Sequence, residues 1–89
     1  MVVVPTRLTL IGKPECHLCD DARAVIASVV AELGDAASIS LDELSIHDDP
    51  ELNARFWDEI PVLMIDGRVH AIWRLDAERL KTAILAATV

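Results

Sequence analysis

Two residues in this 89-residue chain carry obvious chemistry: Cys16 and Cys19, its only cysteines. A CxxC pair at the start of a helix brings two sulfurs within bonding distance after one turn. Cys16 then stands at the helix N-terminus, where free N–H groups and the positive end of the dipole favour thiolate over thiol. The thiolate is the nucleophile in disulfide exchange. Cys19, one turn further in, is expected to be more buried and to resolve the mixed disulfide that Cys16 forms. Lys13 places a cation three residues upstream, and a protonated His17 would act in the same direction. Glu15, Asp20 and Asp21 oppose them through a screened surface. The other reading of the pair is a zinc site. That would need two more ligands from His17, His47 and His70, and no second CxxC exists to supply them.

The elements that must hold this pair can be read from periodicity and punctuation. Leu8-Thr9-Leu10-Ile11, followed by Gly12, reads as a buried strand. Lys13 to Cys19 is a loop turning into a helix. Leu18, Ala22, Val25, Ile26, Val29, Val30 and Leu33 follow helical spacing, with Asp20 and Asp21 in the first turn and Gly34 as a stop. A second strand is expected over Ser38 to Leu44, half-buried through Ile39 and Leu41. Asp49-Pro50 opens a short helix to Trp57, carrying Leu52 and Phe56. Ile60-Pro61-Val62-Leu63-Met64-Ile65 reads as a strand that begins on a proline. Asp66-Gly67 is a two-residue hairpin signal, and Arg68 to Trp73 returns as the partner strand. Asp76 caps a last helix whose apolar face is Leu80, Ala83, Ile84 and Ala87. The order β-α-β-α-β-β-α implies a parallel pair with a right-handed crossover plus an antiparallel hairpin. This is an α/β fold with a four-stranded mixed sheet flanked by helices, one domain over residues 1–89.

Composition narrows the function classes. Fifteen acids against eight bases give a net charge of −7, with 53% hydrophobic residues. No basic footprint for nucleic acid is present, and an anionic membrane surface would repel the chain. Met1-Val2-Val3-Val4-Pro5 is too short for a signal sequence, and Pro5 interrupts it. The longest apolar stretch, Ala22 to Ala31, is broken by Arg23 and Ser28. The expectation is a cytoplasmic monomer.

Lys13-Pro14-Glu15-Cys16-His17-Leu18-Cys19 between strand and helix, with Ile60-Pro61 opening the hairpin, resembles the glutaredoxins of the thioredoxin-like superfamily. The chain looks most like the small bacterial glutaredoxin-like proteins with C-H-L-C in place of C-P-Y-C. The resemblance runs from Leu8 to about Ala87. It implies Cys16 as nucleophile, Cys19 as resolving cysteine, and Pro61 as a cis-proline beside the disulfide. It also implies that the Ile60 backbone pairs with an extended thiol substrate, and that Lys13 approaches a glutathione carboxylate. No resident cofactor is implied. Glutathione is the implied co-substrate, and the implied partners are a protein or small-molecule disulfide and a reductant, either glutathione or a reductase.

The chain departs from the family in two places. The Gly-Gly pair expected after the last strand is replaced by Ile72-Trp73-Arg74-Leu75-Asp76, and Asp58-Glu59 would repel glutathione's carboxylates. Trp57 and Trp73 read either as the edge of a substrate groove or as core or rim packing. Arg55 reads as an exposed helix residue, and His47 and His70 as surface or strand residues. Asp42, Glu43, Asp48, Asp49 and Glu51 read as a solvated acidic face. The leading function is a dithiol–disulfide oxidoreductase. The alternative is a non-enzymatic module on the same fold that binds a metal, an Fe–S cluster or a protein partner.

Overall fold

Alternation along the first strand sets up the architecture. Leu8, Leu10 and Gly12 point to one side of β1 (Thr6–Gly12), while Thr9 and Ile11 point to the other. The computed structural model describes residues 4–87. Met1 to Val3, where the apolar start falls, lie outside the described residues. The remaining elements are α1 (His17–Leu33), β2 (Ile39–Ser45), α2 (Pro50–Phe56), β3 (Val62–Ile65), β4 (Arg68–Ile72) and α3 (Ala77–Ala87), with one short 3-10 turn over Gly34–Ala36. The sheet order is β2-β1-β3-β4, with β1/β2 parallel and both other pairs antiparallel. This is the expected βαβαββα arrangement.

Each face of the sheet has its own core. On one side Leu8, Leu10 and Leu63 pack against Ala22, Ile26, Val29 and Leu33 of α1 and against Leu80 and Ile84 of α3. On the other side Ile11 and Val62 meet Ile46, Ile60 and Phe56, the last brought in by α2. The central strands β1 and β3 are therefore covered on both sides. Burying side chains such as Leu8 and Leu63 completely contributes roughly 1.5–3 kcal/mol each. Asp49 accepts from the Glu51 N–H at the start of α2 (2.9 Å), and Asp76 from the Arg79 N–H at the start of α3 (3.0 Å), as expected for helix caps. Asp66 (φ 49°) and Gly67 (φ 83°) make the hairpin turn with two left-handed residues. Among the described residues no helix is long and apolar enough to cross a membrane.

Two expectations need correction. β2 is not half-buried by alternation: Leu41 is 43% and Leu44 45% exposed. It is an edge strand, and both helical layers centre on β1 and β3. The third strand does not begin on the proline. It starts at Val62, because Ile60–Pro61 is a cis bond lying outside the ladder. Of the readings open for the tryptophans, exposure of Trp57 by 64% and Trp73 by 52% leaves groove edge or rim and excludes core packing. The acidic residues Asp42, Glu43, Asp48 and Glu51 are exposed as expected, and Glu43 pairs with Arg23 at 2.6 Å.

His70 is the extra residue of a β-bulge. Val62 pairs with Ile72 and Leu63 with Ala71, whereas Met64 pairs with Val69. Partial burial, reinforced by the nearby Arg79 cation, pushes the His70 imidazolium below its ordinary range. The unfolded chain therefore binds the proton more readily than the folded one. The native state pays no such penalty above the unfolded value of about 6.5, and loses stability as the pH falls through and below it. Thermal melts should show Tm declining on acidification from pH 7 to 5, and His70→Gln should flatten that decline. An unchanged slope in His70→Gln would remove His70 as its source.

Candidate active site at the β1–α1 junction

The junction is built by a loop that must reverse direction quickly. Glu15 adopts a left-handed conformation (φ 57°) immediately before the helix, which turns the chain so that Cys16 becomes the N-cap of α1. Cys16 and Cys19 form a disulfide, with Cα atoms 5.1 Å apart. The Cys19 N–H donates to the Cys16 sulfur at 3.1 Å, and the Asp20 N–H donates to the Cys16 carbonyl at 3.0 Å. The two sulfurs sit in different surroundings. Cys16 is half-buried, while Cys19 is 1% exposed, the asymmetry expected of an attacking and a resolving thiol.

Gly12 makes that burial possible. A Cβ on Gly12 would lie 2.8 Å from the Cys19 sulfur, closer than real Cβ atoms come. Gly12 cannot easily retreat. It pairs with Ser45 across β1/β2, and its carbonyl accepts from the Ile46 N–H at 2.9 Å. The sequence reading used Gly12 only as a strand terminator. The signal that it does more was its place on the Leu8-Leu10 face, next to the helix that carries Cys19.

Ile60 and Pro61 are buried, and their bond is cis. Among the described residues the Ile60 backbone makes no hydrogen bond, so its N–H and C=O are free to pair with an added strand. Lys13 is exposed and lines a cleft of about 300 Å³ with Gly12, Cys19, Arg23, Glu43 and Asp48. His17 is exposed on the first helical turn, and among the described residues its ring makes no hydrogen bond or ion pair. Arg23 closes the cleft by bridging Glu43 at 2.6 Å and Asp20 at 2.7 Å. Those hydrogen bonds, the Glu43 one first, hold its guanidinium above the usual range. Arg23 was not singled out by sequence, because only the fold brings β2 alongside α1.

Trp73 is tied to the cis-proline segment, and its exposure leaves the groove-edge and rim readings while excluding core packing. Its N–H donates to the Pro61 carbonyl at 2.8 Å, and the Arg74 N–H donates to the Ile72 carbonyl at 2.8 Å. With φ at 66°, Trp73 is the central residue of a γ-turn of the rare positive-φ form. A bulky residue in such a conformation costs about 1–3 kcal/mol. Its indole N–H donates to the Asp58 carbonyl at 3.0 Å, which fixes the ring beside the segment leading to Ile60–Pro61.

The CxxC at the N-cap of α1, with Cys19 buried, and the cis Ile60–Pro61 bond just before β3 belong to a chain that is similar to known proteins. A model of the glutaredoxin-like domain (DUF836) matches residues 7–85. This chain belongs to the glutaredoxin-like family. An uncharacterized protein of Mycobacterium tuberculosis is 32% identical over 83 residues, covering 92% of this chain and 86% of that one. The crystal structure of protein XcR50 from X. campestris superposes with a TM-score of 0.70 at 32% identity, covering 92% of this chain and 99% of that one. Chloroplastic thioredoxin z, at 13% identity, superposes with a TM-score of 0.71 over 93% of this chain and 80% of that one. It shows the thioredoxin-like fold alone.

Two outcomes test the geometry. In the reduced protein the Cys16 thiol should titrate below about 8.5, read by thiolate absorbance or alkylation rate against pH. A value at or above that would contradict the helix-terminus argument. Gly12→Ala should lower the stability of the oxidised protein by about 1–3 kcal/mol, the usual range for overpacking. The readout is a reduced denaturant midpoint with the m-value unchanged.

Proposed function

We propose that this glutaredoxin-like protein is a thiol–disulfide oxidoreductase that reduces protein or low-molecular-weight disulfides through the Cys16–Cys19 couple. The observation that carries this reading is the asymmetry of the pair: a half-buried Cys16 at the N-cap of α1 and a buried Cys19 bonded to it. The Cys16 thiolate attacks one sulfur of a substrate disulfide. A Cys16–substrate disulfide forms, and the other substrate sulfur leaves as a thiolate. Cys19, having lost its proton, attacks the Cys16 sulfur. This releases the second substrate thiolate and leaves the Cys16–Cys19 disulfide. Two electrons from a thiol reductant, glutathione or a dithiol reductase, restore the dithiol.

The protein's part is placement. The N–H of Cys19 points at the Cys16 sulfur (3.1 Å) and stabilises negative charge there before attack and again when Cys16 leaves. The free backbone of Ile60 holds the substrate extended next to the disulfide. Lys13 supplies a cation, and His17 an exposed imidazole, near Cys16 in the chain.

Purified protein with a thiol reductant should turn over 2-hydroxyethyl disulfide. Cys16→Ser should abolish turnover. Cys19→Ser should accumulate a mixed disulfide at Cys16, visible as an adduct by intact mass. Turnover that survives Cys16→Ser would defeat the assignment. Stoichiometric zinc or an iron–sulfur chromophore in a protein without reductase activity would favour the binding-module reading instead.

A further inference from the structure

Trp73 is held in an unfavourable backbone conformation, yet its side chain is 52% exposed. Glycine would satisfy the same turn without strain. Beside the indole lies a pocket of about 170 Å³, lined by Leu18, Ala22, Val25 and Leu75 with Asp21 and Arg74 at its rim. Leu18 lies between the two cysteines in sequence, and the Trp73 N–H is bonded to the Pro61 carbonyl. Two of the lining residues thus belong to the CxxC turn and to the segment bonded to the cis-proline.

We propose that this pocket selects polypeptide disulfides carrying an aromatic or large aliphatic side chain next to the cysteine under attack, in preference to glutathione. The proposal rests on the reductase reading above. Three observations favour a polypeptide. The Ile60 backbone next to the site is free to pair with an extended chain. The pocket's volume is close to the roughly 150 Å³ of an apolar cavity that accepts benzene. That suits one apolar side chain and is small for a whole tripeptide. The surroundings are also acidic. Asp58 and Glu59 precede Ile60, and Asp21 lines the pocket together with Arg74. Glutathione carries two carboxylates and one amine and meets repulsion there. A peptide with neutral or basic neighbours does not.

The test compares three mixed disulfides of one reporter thiol under the same reductant. The first is a short neutral peptide with Phe beside its cysteine, the second is the same peptide with Ser in place of Phe, and the third is glutathione. With the wild-type protein, kcat/KM for the Phe peptide should exceed that for the Ser peptide by about tenfold or more, and glutathione should also fall below the Phe peptide. Trp73→Ala should bring the Phe and Ser peptides close together. Trp73→Gly should do the same while keeping or raising Tm, a combination that a purely structural tryptophan would not give. Trp73→Phe should retain part of the preference. Equal turnover of the two peptides, or faster turnover of glutathione than of the Phe peptide, would overturn the proposal while leaving the reductase reading intact. No turnover of any of the three, nor of 2-hydroxyethyl disulfide, would overturn both.

Discussion

The contact between Gly12 and the Cys19 sulfur is the constraint on which the rest of the site depends. A strand that ends without a side chain lets the first turn of α1 settle directly onto the sheet. That seats Cys19 in the interior and leaves Cys16 at the surface end of the same turn. The difference in environment between the two thiols follows from this packing, and the proposed division of roles between Cys16 and Cys19 rests on that difference. Leu8, Leu10 and the α1 face from Ala22 to Leu33 fix the helix in position. The apolar core thus sets the chemistry indirectly, by deciding how closely a helix end can approach a strand.

Much of this was legible in the sequence because it is local. CxxC before an amphipathic helix, Asp49-Pro50, Asp66-Gly67 and Asp76 each specify their own structure within a few residues, and all four act as expected. What sequence reading missed depends on relations between distant segments. β2 alternates like a half-buried strand, yet Leu41 and Leu44 are exposed because the strand falls at the edge of the sheet. Arg23 stood out in the sequence only as a break in an apolar stretch, and the fold brings it within 2.6 Å of Glu43 on β2. The cis geometry of Ile60–Pro61 came from family resemblance, since composition alone favours trans.

Trp73 shows the same limit more sharply. The absence of the family's glycine pair was visible, but a tryptophan in a tight turn reads first as a packing residue. Only the backbone shows that it keeps the conformation that a glycine would take more easily, with the Pro61 and Asp58 carbonyls holding it there. Local preference and the observed conformation disagree at a position touching the cis-proline. Such disagreements concentrate at functional sites, where surrounding contacts impose a conformation the residue would not choose.

The exposed edge of β2 bears on how the protein stays dispersed. Leu41 and Leu44 lie on a strand whose outer edge has no neighbouring strand among the described residues, a surface on which further copies could add. Between those leucines lie Asp42 and Glu43. Like charges facing each other across two such edges would repel, and the net charge of −7 adds a longer-range repulsion between whole molecules. The acidity of this chain thus acts as a guard on an open sheet. That guard weakens as the solution approaches the isoelectric point near 4.7.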